Sequence, residues 1–98
     1  MKVVRHVIIR GRVQGVGYRM WTEHLAERLE LEGWVRNRRD GTVEAVFAGP
    51  EKAVAEAIEA CRAGPRHGHV DMIDIQEAGS DVLSQRHPGE RFSVLATT

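Results

Sequence analysis

Two glycines and an arginine fall within the six residues Gln14-Gly15-Val16-Gly17-Tyr18-Arg19. Glycine lets a backbone curl until successive N–H groups converge on one point, and such a nest holds an anion. A helix starting here adds unpaired N–H groups and partial positive charge. Arg19 then sits in the first turn, where its guanidinium is placed for a bidentate grip on phosphate or carboxylate oxygens. A tight turn ahead of an ordinary amphipathic helix, with Arg19 solvated, accounts for the same spacing equally well. The nucleotide-binding loop, Gly-x-x-x-x-Gly-Lys-Ser/Thr, is absent, and Gly11, Gly15 and Gly17 do not fit the dinucleotide fingerprint. Any anion bound here is therefore small.

Asn37 is the one asparagine in the chain, and it falls in a strand-like segment, where asparagine is disfavoured. On that ground alone, a solvated residue approaching a turn is the simpler reading. Arg36, Arg38 and Arg39 flank it. Side chains alternate along a strand, so Arg36 and Arg38 face away from Asn37 and read as a solvated face that also attracts anions. His67-Gly68-His69 offers two histidines without a third ligand, and His6, His24 and His87 are scattered, so no metal site is assigned. Cys61 lies on an apolar helical stripe and reads as a small core residue, not a nucleophile. Trp21 and Trp34 read as core or pocket-edge residues.

Elements that would position these groups follow from periodicity. Val3 to Val13 is β-branched and alternates from Val7 onward, with Ile8 the exception, as a half-buried strand does. Tyr18, Trp21, Leu25 and Leu29 lie three or four apart on one helical stripe that ends by Gly33. Trp34 to Arg38 and Thr42 to Phe47 read as strands joined at Asp40-Gly41, a hairpin turn signal. Pro50 sits at a first-turn position of a second helix with Val54, Ile58 and Cys61 inward, and Gly64-Pro65 ends it. Val70 to Gln76 is a fourth strand, with a bulge suggested where Met72 meets Ile73. Phe92 and Val94 support a short last strand. The order β-α-β-β-α-β plus a C-terminal strand is an α+β, ferredoxin-like split β-α-β sandwich, its two helices on one face of a largely antiparallel sheet.

Composition bounds the function classes. The 98 residues are 42% hydrophobic and 29% charged, which fits one globular domain over residues 1–98. Fourteen basic residues balance fourteen acidic ones, so no global field draws the chain to nucleic acid or an anionic membrane. No apolar run approaches the roughly 20 residues of a bilayer span. The first residues lack the pattern of a secretory signal, and one cysteine forms no internal disulfide. A cytoplasmic monomer is the expectation.

The stretch Gly11-Arg12-Val13-Gln14-Gly15-Val16-Gly17-Tyr18-Arg19 resembles the signature of the acylphosphatase family, small enzymes that hydrolyse carboxyl–phosphate mixed anhydrides. Gly33-Trp34-Val35-Arg36-Asn37-Arg38-Arg39-Asp40-Gly41-Thr42-Val43-Glu44 is similar to that family's second characteristic segment, at about the right separation. Gly64-Pro65, Val70 and Phe92 are weaker echoes, so the resemblance spans nearly the whole chain. It implies the same split β-α-β fold. It also implies that backbone N–H groups of Gln14, Gly15, Val16, Gly17 and Tyr18 cradle a substrate phosphate. Arg19 matches the family's phosphate-binding arginine, and Asn37 the asparagine that orients the attacking water. The implied substrate is a small acyl phosphate, with no cofactor and no metal. The family account lets the substrate's own phosphate take the water's proton, and no acid–base pair stands out here.

Two positions depart from the family pattern. Tyr18 stands where phenylalanine is commoner, which changes little if its hydroxyl finds a partner. Glu30 stands where glycine often closes the first helix. A side chain there opposes a left-handed backbone, so that helix is expected to run on to Gly33. Ser80 to Glu90 carries no family signal and is assigned no function. Two other classes compete with the enzyme: an anion-binding or regulatory module without turnover, and an RNA-binding domain of the same topology. The latter displays stacking aromatics on its central strands, where this chain offers only Phe47.

Overall fold

The β-branched run near the start becomes strand β1 (Lys2–Arg12), and helix α1 (Tyr18–Arg28) follows the glycine turn. Strands β2 (Glu32–Asn37) and β3 (Val43–Pro50) form the hairpin, followed by helix α2 (Glu51–Ala63) and strand β4 (His69–Glu77). A short 3-10 segment (Ser80–Gln85) leads to strand β5 (Phe92–Val94). The structure is a computed structural model describing residues 1–98. One sheet runs β4-β1-β3-β2-β5, antiparallel at every pairing except the parallel β2–β5 contact. This is the expected split β-α-β sandwich.

Alternation sorts the apolar side chains to two faces. Val7 and Ile9 of β1, Val35 of β2 and Phe47 of β3 are fully buried against Leu25 of α1 and Val54 of α2. The opposite face is not simply solvated. Trp34, Val46 and Ala48 pack there against Leu83 and Leu95, and the Trp34 indole N–H donates to the Val82 carbonyl at 2.8 Å. The polar Ser80 to Glu90 stretch thus has a structural task, since its 3-10 turn presses Leu83 over the back of β2. Truncating a buried tryptophan of this kind costs about 3–5 kcal/mol.

Three local expectations are refined. The bulge lies at Asp71, one residue before Met72: the β1–β4 partners step from Arg10–Met72 to Gly11–Val70. Pro50 is extended and caps α2 from outside the first turn, because it still pairs with Lys2 as the last residue of β3. Helix α1 does not run on to Gly33. It stops at Arg28, and Glu30 takes the left-handed conformation at φ +57°. The reason is a Schellman closure, in which the Glu30 N–H donates to the Glu27 carbonyl and the Leu31 N–H to the Ala26 carbonyl. These bonds, and the complete burial of Leu31, outweigh a left-handed strain of roughly 1–2 kcal/mol.

Candidate active site

Between β1 and α1 the chain makes a tight turn in which Gly15 (φ +75°) and Gly17 (φ +82°) are both left-handed. A Cβ at either would meet no atom within 4 Å, so backbone conformation and not lack of space calls for glycine. The first helical bond runs from the Trp21 N–H to the Gly17 carbonyl at 3.0 Å. The N–H groups of Tyr18, Arg19 and Met20 precede it and have no acceptor within the helix. Gly17 caps α1 without a side-chain bond, and the first turn carries no acid. The positive end of α1 is therefore left uncompensated.

Tyr18 anchors this turn from behind. Its ring is buried, and its hydroxyl donates to the Cys61 carbonyl at 2.6 Å near the end of α2. Burial pushes the phenol's pKa well up, so it stays a neutral donor. A Cβ on Gly64 would strike the Tyr18 ring, which ties the glycine ending α2 to the residue opening α1. Cys61 is fully buried, and burial pushes its thiol up to about 12, which leaves it inert as a nucleophile.

Gln14 reaches the other way. Its side-chain nitrogen donates to the carbonyls of Arg38 (2.7 Å) and Thr42 (2.8 Å), the two carbonyls at the base of the β2–β3 turn. That turn is closed by Arg38 N–H to the Thr42 carbonyl and by the Asp40 carboxylate, which accepts from both the N–H and the hydroxyl of Thr42. Those Thr42 bonds hold the Asp40 carboxyl below its usual range. Asn37 ends β2 just before the turn, paired with Val43, and its carbonyl accepts from the Thr98 N–H.

The outcome is a hollow of about 470 Å³ lined by Gly15, Gly17, Arg19 and Asn37 together. Arg19 and Asn37, which the sequence leaves unconnected, meet in one site. Neighbouring hydrogen bonds join Gln14 to the hairpin and Arg36 to Glu44, and the Arg19 guanidinium and Asn37 amide take part in neither. Gln14 and Val16 do not line the hollow, and Tyr18 borders it with its side chain bonded behind. Four residues that sequence reasoning did not single out for the site, Val13, Met20, Glu23 and Val94, complete the wall. Glu23 was findable, because i and i+4 positions share a helix face and Arg19 is already a candidate.

Arg36 faces the opposite side of the sheet, as alternation requires. It donates to Glu44 at 2.7 Å and lies 4.7 Å from the Trp34 ring centre, so it is engaged away from the hollow. Arg38 is partly exposed beside Asp40, at 3.9 Å. His69 pairs with the Asp71 carboxylate at 3.1 Å on the exposed β4 edge.

A family model described as acylphosphatase matches residues 5–92. The chain belongs to the acylphosphatase family, which is a family of enzymes. It is 60% identical to an acylphosphatase of Rhodopseudomonas palustris (strain BisB5), over 96% of this chain and 95% of that one. Among solved structures, an acylphosphatase from Bacillus subtilis superposes with a TM-score of 0.82 at 38% identity, covering 97% of this chain and 99% of the other. An acylphosphatase from Coxiella burnetii gives 0.84 at 30% identity, over 96% and 93%. The acylphosphatase fold is thus matched over nearly the whole chain, with the glycine loop and Asn37 both inside the matched region.

Proposed function

We propose that this acylphosphatase hydrolyses small acyl phosphates to a carboxylate and inorganic phosphate, using Arg19 and Asn37 on opposite sides of the reacting phosphorus. Backbone N–H groups from Gln14 to Tyr18 and the Arg19 guanidinium hold the phosphoryl oxygens. The Asn37 amide holds a water in line with the leaving oxygen. The water oxygen bonds to phosphorus, the bond from phosphorus to the acyl oxygen breaks, and its electron pair leaves with the carboxylate. The water's proton passes to a phosphate oxygen of the substrate itself. A carboxylate is a good leaving group, so positioning and neutralisation of the equatorial oxygens supply most of the acceleration.

One observation carries the reading: Arg19 and Asn37, from a helix start and a strand end, line the same hollow as the two left-handed glycines. No observation favours a module without turnover. The enzyme works as a cytoplasmic monomer with no nucleic-acid or membrane partner, a reading supported by its balanced charge and single buried cysteine. No helix is long and apolar enough to cross a membrane.

The test is benzoyl phosphate hydrolysis in EDTA by the parent, Arg19→Ala and Asn37→Ala, with sedimentation of the parent alongside. The parent turns over as a species near 11.0 kDa, and each variant loses about 100-fold or more in kcat/KM. In Asn37→Ala the loss falls on kcat more than on binding. A folded parent without turnover would leave only anion binding, and an Asn37→Ala enzyme with near-normal kcat would remove the role given to that residue.

A further inference from the structure

The hollow is lined by more residues than the phosphate and water roles proposed above employ. Besides the glycines, Arg19 and Asn37, its lining includes Met20, Glu23 and Val94. Glu23 lies four residues along α1 from Arg19, one turn and about 6 Å further from the loop. Met20 is among the few large apolar side chains left mostly exposed, at 64%, and it is exposed at the rim of the site. Glu23 also lines an adjoining hollow of about 440 Å³ that holds Glu27, Glu90 and Arg91. Hydrogen bonds from the Ser93 hydroxyl and His87 hold the Glu90 carboxyl below its usual range. The ground beyond the site therefore carries three carboxylates against one guanidinium.

We infer that Met20 and Val94 form the bed for the acyl group and that Glu23 makes this bed selective by charge. Neutral or amine-bearing acyl phosphates are accepted, and those carrying a second carboxylate or phosphate are disfavoured. The inference rests on the acyl phosphate reading above and names the substrate class for that same hollow. With its phosphate at the loop, a substrate whose acyl group runs along α1 passes the residues that follow Arg19 on that helix. The first side chains it meets are Met20, which adapts to varied apolar shapes, and the Glu23 carboxylate. Arg19 attracts every substrate equally through the shared phosphate, so discrimination falls to the residue one turn beyond it.

The experiment compares three substrates with one aromatic frame: benzoyl phosphate, its para-carboxy derivative and its para-aminomethyl derivative. Each is measured with the parent, Glu23→Gln and Glu23→Lys, after subtraction of spontaneous hydrolysis. Comparing ratios of kcat/KM removes the effect of Glu23 on the phosphate and the intrinsic leaving-group differences, since both are common to the ratio or unchanged by the mutation. The parent favours the aminomethyl over the carboxy substrate. Glu23→Gln shrinks that ratio by about fivefold, as expected for one charge pair in a wet site, and Glu23→Lys shrinks it further. In the parent the ratio also contracts at about 0.5 M salt, where exposed charges are screened. If all three substrates turn over and the ratio is the same in the parent and both variants, the charge-selective bed is wrong while the hydrolase reading stands. If the folded parent turns over none of them, both readings fall.

Discussion

The side-chain amide of Gln14 donates to the Thr42 carbonyl at 2.8 Å, although the two residues are 28 positions apart. Its second bond, to Arg38 at 2.7 Å, makes Gln14 a clamp across the base of the hairpin that carries Asn37. The glycine loop and the strand end that carries Asn37 thereby share one rigid connection. Positioning of this kind matters because a misplacement of about 1 Å costs on the order of 100-fold in rate.

Gln14→Ala releases the hairpin from the loop. The fold loses about 1–3 kcal/mol, from two hydrogen bonds each worth about 0.5–1.5 kcal/mol. The kcat for benzoyl phosphate drops by about tenfold or more. Gln14→Glu does worse than alanine, since a carboxylate cannot donate to two carbonyls and is repelled by them. Urea unfolding and steady-state kinetics check both statements, and a Gln14→Ala enzyme equal to the parent in both would show the clamp to be idle.

Glu30 occupies the left-handed position of the Schellman closure that ends α1. Glu30→Gly removes the Cβ strain and raises stability by about 1 kcal/mol after the extra freedom of the unfolded glycine is counted. For a chain of this size that is a rise of about 4–8 °C in Tm. Glu30→Ala keeps the Cβ and gains nothing comparable. A glycine variant that melts no higher than the alanine variant would contradict the strain argument.

Glu44 sits on the back of the sheet, accepting from Arg36 at 2.7 Å and lying 2.6 Å from His6 Nε2. Burial raises the pKa of this carboxyl, but the bonds from His6 and Arg36 together outweigh burial and hold it below its ordinary value. A carboxyl depressed in the folded state stabilises the fold fully above its unfolded value of about 4.3, and that contribution fades as pH falls through the folded value. Glu44→Gln is therefore less stable than the parent near pH 6, and the gap narrows toward pH 3. Chemical denaturation at half-unit pH steps reads this directly. A gap that stays constant across that range would show the pair to be unlinked to folding.

Much of this protein was legible in one dimension. Alternation and helical stripes specify β1, the hairpin and both helices, because which face is buried is written every two residues in a strand and every three or four in a helix. The glycines at 15 and 17 and the arginine at 19 are near neighbours in sequence, so the left-handed glycine turn before α1 is a local property. Other features depend on residues distant in sequence. The meeting of Arg19 with Asn37, the Gln14 clamp and the packing of Leu83 on Trp34 exist only once β2 lies beside β3 and the later segment folds over the back. Glu30 shows the same division at a single residue. Local preference argues against its left-handed backbone, and the burial of Leu31 with two closing hydrogen bonds overrides that preference. Sequence alone therefore determined the main strands and helices and the glycine loop, since these arise from neighbouring residues. The tertiary structure decided the other wall of the site, because packing energy summed over distant residues is what brings that wall into place.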